Sequence, residues 1–222
     1  MEIKPVERPA KEIIEGFESI GTSTISDILD QIGLDCLVSG VRAVRRGFRL
    51  VGPVLTVKEI SGPLGTYKTE DFQMGKLIDM AQPGDVLVFD NSGKEISTWG
   101  GLASTAAKEK GIKGVIIDGG SRDADEVVEL DFPVFSRHIT PRAARTRIKM
   151  IEINGVIQCG GIRVRPGDIV VADPTGIIII PKEKAEEVLE KARAMEAGEK
   201  QFVEELKKGK TFDEMHRKTG TL

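Results

Sequence analysis

Apolar positions along this chain change period several times, and each change marks an element. Residues from about Ala10 to Phe17 and from Ser23 to Ile32 carry helical spacing. In the second stretch Ile25, Ile28, Leu29 and Ile32 share one face behind Thr22 or Ser23 as N-cap, so both predict packing helices. Gly52-Pro-Val-Leu-Thr-Val predicts a strand, and Lys76-Leu-Ile-Asp-Met a short helix before a turn. Pro83-Gly-Asp-Val-Leu-Val-Phe-Asp and Pro166-Gly-Asp-Ile-Val-Val-Ala-Asp repeat one pattern, a Pro-Gly turn followed by a buried strand. Asp85 and Asp168 fall where a carboxylate accepts from turn backbone, and that role is assigned to them over catalysis.

The middle of the chain alternates. Leu102 to Lys110 predicts a helix ending at Gly111, Gly114 to Asp118 a buried strand, Asp123 to Leu130 a helix, and Pro133-Val-Phe another strand. This βαβα rhythm predicts a parallel component. Ile151-Glu-Ile, Ile162-Arg-Val, Ile169-Val-Val-Ala and Gly176-Ile-Ile-Ile-Ile-Pro then supply more short strands than a doubly wound fold needs, so a layered α/β sandwich with mixed sheets is expected. From Lys182 to Lys208, Ala185, Val188, Leu189, Ala192 and Met195 form a helical stripe that Phe202 and Leu206 continue around a break at Gly198.

Composition narrows this picture. With 222 residues, 40% of them hydrophobic, the chain reads as one compact domain over residues 1–222, with packing helices at about 10–32 and a C-terminal helical segment at about 182–217. Thirty-two Lys plus Arg against 35 Asp plus Glu give a net charge of −3, so no global positive field recruits nucleic acid or an anionic membrane. Cys36 and Cys159 are too far apart for a metal or redox motif and read as buried free thiols. The N-terminus lacks the apolar run of a signal peptide and no apolar window reaches about 18 residues, so a cytoplasmic location is expected.

Candidate chemistry concentrates between Trp99 and Glu126. Gly100 and Gly101 precede a helix whose unpaired N–H groups, continued through Leu102 and Ala103, favour a carboxylate or phosphate; a Gly-Gly pair is also an ordinary turn. Arg122 follows a parallel strand at the end where α/β ligands bind, suited either to a bidentate carboxylate contact or to pairing with Asp123 or Asp125. Asp123, Asp125 and Glu126 offer hard oxygens for Mg²⁺ or Mn²⁺, while Asp123 and Glu126 also match a capping box, which the local pattern favours. Lys108, Lys110 and Lys113 surround a helix end and do not suggest a Schiff base; His138 and His216 are assigned no catalytic role. Arg137, Arg142, Arg145, Arg147 and Lys149 form a basic cluster that reads as flanking a dianionic substrate or as a charged face, ahead of an RNA surface.

These landmarks, with Ser23-Thr-Ile-Ser-Asp-Ile-Leu-Asp, Trp99-Gly-Gly-Leu, Asp118-Gly-Gly-Ser-Arg-Asp, Phe132-Pro-Val-Phe, Thr140-Pro-Arg and Asp173-Pro-Thr-Gly, resemble the RraA-like proteins over nearly the whole chain. That family includes class II 4-hydroxy-4-methyl-2-oxoglutarate aldolases that also decarboxylate oxaloacetate. Aldolase members carry an acidic residue 21 positions before the Arg-Asp pair, where this chain has Gly101. A variant pattern has Gly, twenty intervening residues, Arg-Asp, then an acid after two more, and Gly101, Arg122, Asp123 and Glu126 match it.

The resemblance implies an α/β/β/α sandwich of the swivelling-domain type. It also implies a homotrimer or a hexamer, with a metal-ligating glutamate donated from a neighbour's C-terminal helix, Glu199 being the match by position. Arg122 and the Gly100–Ala103 backbone would bind a 2-oxo acid, and Asp123 would anchor Mg²⁺ or Mn²⁺ for retro-aldol cleavage or decarboxylation through a pyruvate enolate. The family's name-giving members imply an alternative, a non-enzymatic regulator that binds a ribonuclease or helicase partner. A menaquinone methyltransferase label, also borne by relatives, is opposed by Val115-Ile-Ile-Asp-Gly-Gly, which lacks Gly-x-Gly spacing after its strand.

Overall fold

The computed structural model describes residues 1–219, with side chains through Arg217. Strand β1 (Glu2–Ile3) leads into helices α1 (Lys11–Gly16) and α2 (Thr22–Gln31), then β2 (Arg42–Ala43), the long β3 (Leu50–Ser61), α3 (Met74–Met80) and β4 (Val86–Asp90). The centre runs β5 (Ser97–Trp99), α4 (Gly101–Lys110), β6 (Gly114–Ser121), α5 (Ala124–Glu129) and β7 (Val134–Ile139). After it come β8 (Ile148–Ile153), β9 (Ile157–Cys159), β10 (Ile162–Val164), β11 (Ile169–Ala172), β12 (Ile177–Ile180), α6 (Ala185–Lys207) and α7 (Phe212–Thr219).

Strand β3 joins the two sheets of the sandwich. Its first residues pair antiparallel with β11, from Leu50 opposite Ala172 to Pro53 opposite Ile169. From Val54 to Lys58 it runs parallel to β4, and its far end lies antiparallel to β8. The parallel set β4, β6 and β7, with β5 beside β6, supplies the expected βα units.

The unbroken apolar run Ile177–Ile180 is explained by burial on both faces. Ile169, Val171, Ile178 and Ile180 pack under α1, α2 and α6 with Phe17, Ile28 and Val188. Val170, Ala172, Ile177 and Ile179 point into the central core with Val54, Val86 and Ile116. Helices α3, α4 and α5 close the main sheet through Leu77, Ala107 and Val127, completing an α/β/β/α order. Among the described residues no helix is long and apolar enough to cross a membrane.

Two local expectations are corrected. Helix α2 begins at Thr22 and takes no cap from its own N-terminal residues; Asp173 accepts from the Thr22 N–H at 2.9 Å and from its hydroxyl at 2.8 Å. Helix α6 runs through Gly198 without a break. Asp85 and Asp168 do accept from turn backbone, from the N–H groups of Gln82 and Arg165.

Candidate functional site

Two neighbouring parallel strands, β5 and β6, each end at the start of a helix, and the chemistry found in the sequence sits in those two turns. The first turn is Gly100, extended at φ −164°, leading into α4. The second is Arg122 and Asp123, the latter in the left-handed region at φ 54°, leading into α5. The turns are bonded to each other: the Arg122 N–H donates to the Trp99 carbonyl at 2.9 Å, and the Gly101 N–H donates to Asp123 Oδ2 at 3.1 Å.

The two glycines are there because carboxylates occupy the space their side chains would need. A Cβ on Gly100 would lie 2.5 Å from Asp123 Oδ2, and one on Gly101 would land on Glu126 Oε2. Asp123 and Glu126 thus flank one short backbone segment, with Arg122 Nε 3.4 Å from Asp123 Oδ2. The capping box is not formed. Asp123 stands at the N-cap of α5 without a side-chain bond to that helix, because its carboxylate is turned to α4 and its left-handed backbone aims it away.

The anion cradle is smaller than expected. At the start of α4 the Gly101 N–H is engaged by Asp123 and the Ser104 N–H by the Gly100 carbonyl, which leaves Leu102 and Ala103 as the donors of that first turn. Both residues, with Gly100 and Arg122, line a cleft of about 610 Å³. Phe72, Ala144 and Arg145 also line it, and the buried Ser97, Thr98 and Trp99 form its floor. Asp123 and Glu126 stand beside this lining, at the Gly100–Gly101 rim.

Trp99 fixes the floor. It is buried, its Nε1 donates to Ser104 Oγ at 2.8 Å, and Ser104 in turn donates to the Gly100 carbonyl at 3.0 Å. Phe132 stacks on its ring at 6.2 Å. The rim is therefore held by an aromatic core, as a site built on rigid elements requires.

Behind the floor lies a group that the sequence reading passed over. Glu59 on β3 is 1% exposed and accepts a hydrogen bond from the Thr98 hydroxyl through Oε1, while its Oε2 has no partner. Burial pushes its carboxyl up to about 8, against the Thr98 bond and with help from Asp90. The signal was a lone Glu in a strand otherwise buried from Leu50 to Val57.

Other candidates are dispersed. Glu199 lies on α6, which packs on α1 and α2 in the layer across the sandwich, and the fold of one chain does not bring it to Asp123. Lys108, Lys110 and Lys113 are exposed. His138 Nε2 meets the Gly93 carbonyl at 3.0 Å. Cys36 and Cys159 are buried free thiols, and burial pushes both upward, with Asp35 adding at Cys36 and Asp118 at Cys159. The basic cluster separates: Arg137 pairs with Asp118 at 2.6 Å and Lys149 with Asp71 at 3.2 Å, leaving Arg145 at the cleft.

Among the described residues no group of three His, Cys, Asp or Glu side chains converges. Two carboxylates do flank Gly101, and hard cations such as Mg²⁺ commonly take one or two protein carboxylates and keep several waters. The residues present fit such an ion.

The chain matches known proteins in sequence and in fold. Residues 22–179 match the RraA-like family model, described as Aldolase/RraA, and the chain belongs to that family. A relative in Halalkalibacterium halodurans, named "Putative 4-hydroxy-4-methyl-2-oxoglutarate aldolase", is 36% identical over 187 residues, 84% of each chain. An uncharacterized protein from Pseudomonas syringae pv. tomato superposes with a TM-score of 0.85 at 30% identity, covering 95% of this chain and 99% of that one. Streptomyces coelicolor RraAS2, described as an unusual member of the RNase ES inhibitor RraA protein family, gives 0.79 at 28%, covering 87% and 97%. The names within the family thus span an aldolase and a ribonuclease inhibitor.

Proposed function

We propose that the cleft beside Gly100–Gly101 is the site of a divalent-metal-dependent lyase acting on 2-oxo acids, by retro-aldol cleavage of 4-hydroxy-4-methyl-2-oxoglutarate-like substrates, decarboxylation of oxaloacetate, or both. The observation that carries this reading is the convergence of Asp123 and Glu126 on Gly101, with Arg122 and the free donors of α4 alongside.

In this reading the Leu102 and Ala103 N–H groups and the Arg122 guanidinium bind the carboxylate next to the keto group and fix its orientation. Asp123 keeps Arg122 in place through their contact and holds the α4 rim through Gly101. Asp123 and Glu126 would hold Mg²⁺ or Mn²⁺, and the bound ion would supply Lewis-acid stabilisation of the charge that develops on the keto oxygen. Breaking the bond between C3 and its neighbour leaves pyruvate enolate in both reactions, so one constellation serves both. Trp99 and Phe72 supply apolar surface to the cleft lining. Glu199 from a second copy, in a homotrimer or hexamer, is the third carboxylate of this proposal.

The experiment is pyruvate release from each substrate with Mg²⁺ or Mn²⁺, with chelator, and after subtraction of the metal's own decarboxylation. The wild type is expected to release pyruvate only with metal, and Arg122→Ala and Asp123→Asn to lose this activity with their assembly unchanged. Asn also tolerates the left-handed backbone at 123, so that variant removes charge alone. Absence of release from both substrates, or full activity in both variants, contradicts the lyase reading and leaves the partner-binding role of the regulator.

A further inference from the structure

The buried carboxyl of Glu59 is separated from the cleft by one hydroxyl. Thr98, which bonds it, belongs to the cleft floor between Ser97 and Trp99. Such a burial is costly unless the group is used or neutral, and Glu59 has one oxygen without any partner. Asn91, one residue past the β3–β4 pair Lys58–Asp90 as Glu59 is, also has both amide atoms unpartnered and 1% exposure. Glu59, near the end of β3, and Asn91, just past the end of β4, are thus buried polar side chains with unpartnered atoms, and Glu59 is the one bonded to a residue that lines the cleft.

We propose that Glu59 is the proton store of this site and delivers its proton to the substrate carbon through the Thr98 hydroxyl. The inference rests on the lyase reading above. When the bond to C3 breaks, its electron pair stays on C3 as the enolate, and the other fragment leaves as carbon dioxide or, with its C4 hydroxyl proton passing to solvent, as a carbonyl compound. C3 then takes the proton of the Thr98 hydroxyl, the Thr98 oxygen takes the proton of the Glu59 carboxyl, and Glu59 is left as a carboxylate that solvent reprotonates. A neutral Glu59 reverses its bond to Thr98 by donating, and the Thr98 hydrogen is then free to turn to the cleft.

The surroundings favour a stored proton. Asp90 on β4 is the charge acting on Glu59 and it disfavours ionisation, while Lys58 is turned to Asp90 in an ion pair of 2.5 Å. Strand β8 places Met150 opposite Glu59, and β5 contributes Thr98. With its carboxyl pushed up to about 8, Glu59 is protonated at neutral pH and able to act as an acid.

The test uses the full chain with Mg²⁺ and follows exchange of the pyruvate methyl hydrogens for deuterium, which runs the same relay in both directions, Glu59 first accepting the C3 proton through Thr98 and then returning a deuteron, without the cleavage step. Glu59→Gln and Thr98→Val are expected to slow exchange about 10²-fold, the low end of general-acid effects, and Thr98→Ser to keep most of it. Wild-type exchange, which begins with the Glu59 carboxylate taking a methyl proton through Thr98, should rise with pH to a plateau above about pH 8, and the residual exchange of Glu59→Gln should lack that rise. Independently of activity, the fluorescence of Trp99, the single tryptophan, should show a transition near pH 8 that Glu59→Gln lacks. The Thr98 pair keeps the test decisive if Glu59→Gln does not fold.

Wild-type exchange matched in rate and pH profile by Glu59→Gln, or by Thr98→Val, overturns the Glu59 assignment and leaves the lyase reading standing. A wild type that neither exchanges pyruvate nor releases it from either substrate overturns the lyase reading, and the proton store with it, whatever Trp99 reports.

Discussion

Glycine at 100 and 101 is a statement about the residues across from it. The absent Cβ atoms let Asp123 and Glu126 close on the backbone of the α4 start, and Asp123 accepts the left-handed conformation to do so, at a cost on the order of 1 kcal/mol. Glu59 couples folding to proton binding. Its folded carboxyl is raised to about 8 against an unfolded value near 4.3, so between those limits the folded chain binds the extra proton. Stability owed to the neutral group is complete below about pH 4, falls as pH rises, and is lost by about pH 8. Urea unfolding of wild type and Glu59→Gln across this window should show the wild type losing stability with rising pH relative to the variant; parallel curves would contradict the burial assignment.

Elements differ in how much their own sequence explains. The βα units from Trp99 to Ile139 were legible because Gly111 ends α4 at φ 82° and apolar runs of strand length flank it. The start of α2 was not, because its cap is a carboxylate 151 positions away, and no local pattern encodes that. Nor was the turn of Asp123 away from α5, since capping-box spacing is silent about a competing donor on α4. The floor of the site depends on α4 through Trp99 and Ser104. Ser104→Ala should leave the buried indole N–H unpaired and cost about 1–3 kcal/mol, measured by urea unfolding followed at Trp99. In α6 a Cβ at Gly198 meets nothing within 4 Å, so Gly198→Ala should raise stability by about 0.5–1 kcal/mol. An unchanged or lowered stability would argue that α6 is not the continuous helix described.

For the molecule as a whole, the order of layers separates two groups that the site reading joins. Asp123 and Glu126 sit at the ends of the main sheet, whereas Glu199 rides on α6 across the sandwich, so a site containing all three needs two copies. Co-expressing Arg122→Ala with Glu199→Ala, each low in activity alone, should restore metal-dependent turnover in mixed assemblies; no restoration would remove Glu199 from the proposed ligand set. The layered fold was legible from the surplus of short strands, but β3 joining both sheets was not, since one twelve-residue run gives no sign that its partners change midway.

The central claim is that chemistry is centred on the carboxylates closing over Gly101, and moving one of them tests it. Glu126→Ala should lose metal-dependent pyruvate release by about tenfold or more, about 1.4 kcal/mol of transition-state stabilisation. Adding Gly101→Asp places a carboxylate from the other side of the same space, which the first change has vacated except for a Cβ 3.2 Å away, and should recover much of the loss. Release by Glu126→Ala at the wild-type rate, unaltered by the second change, would contradict the account.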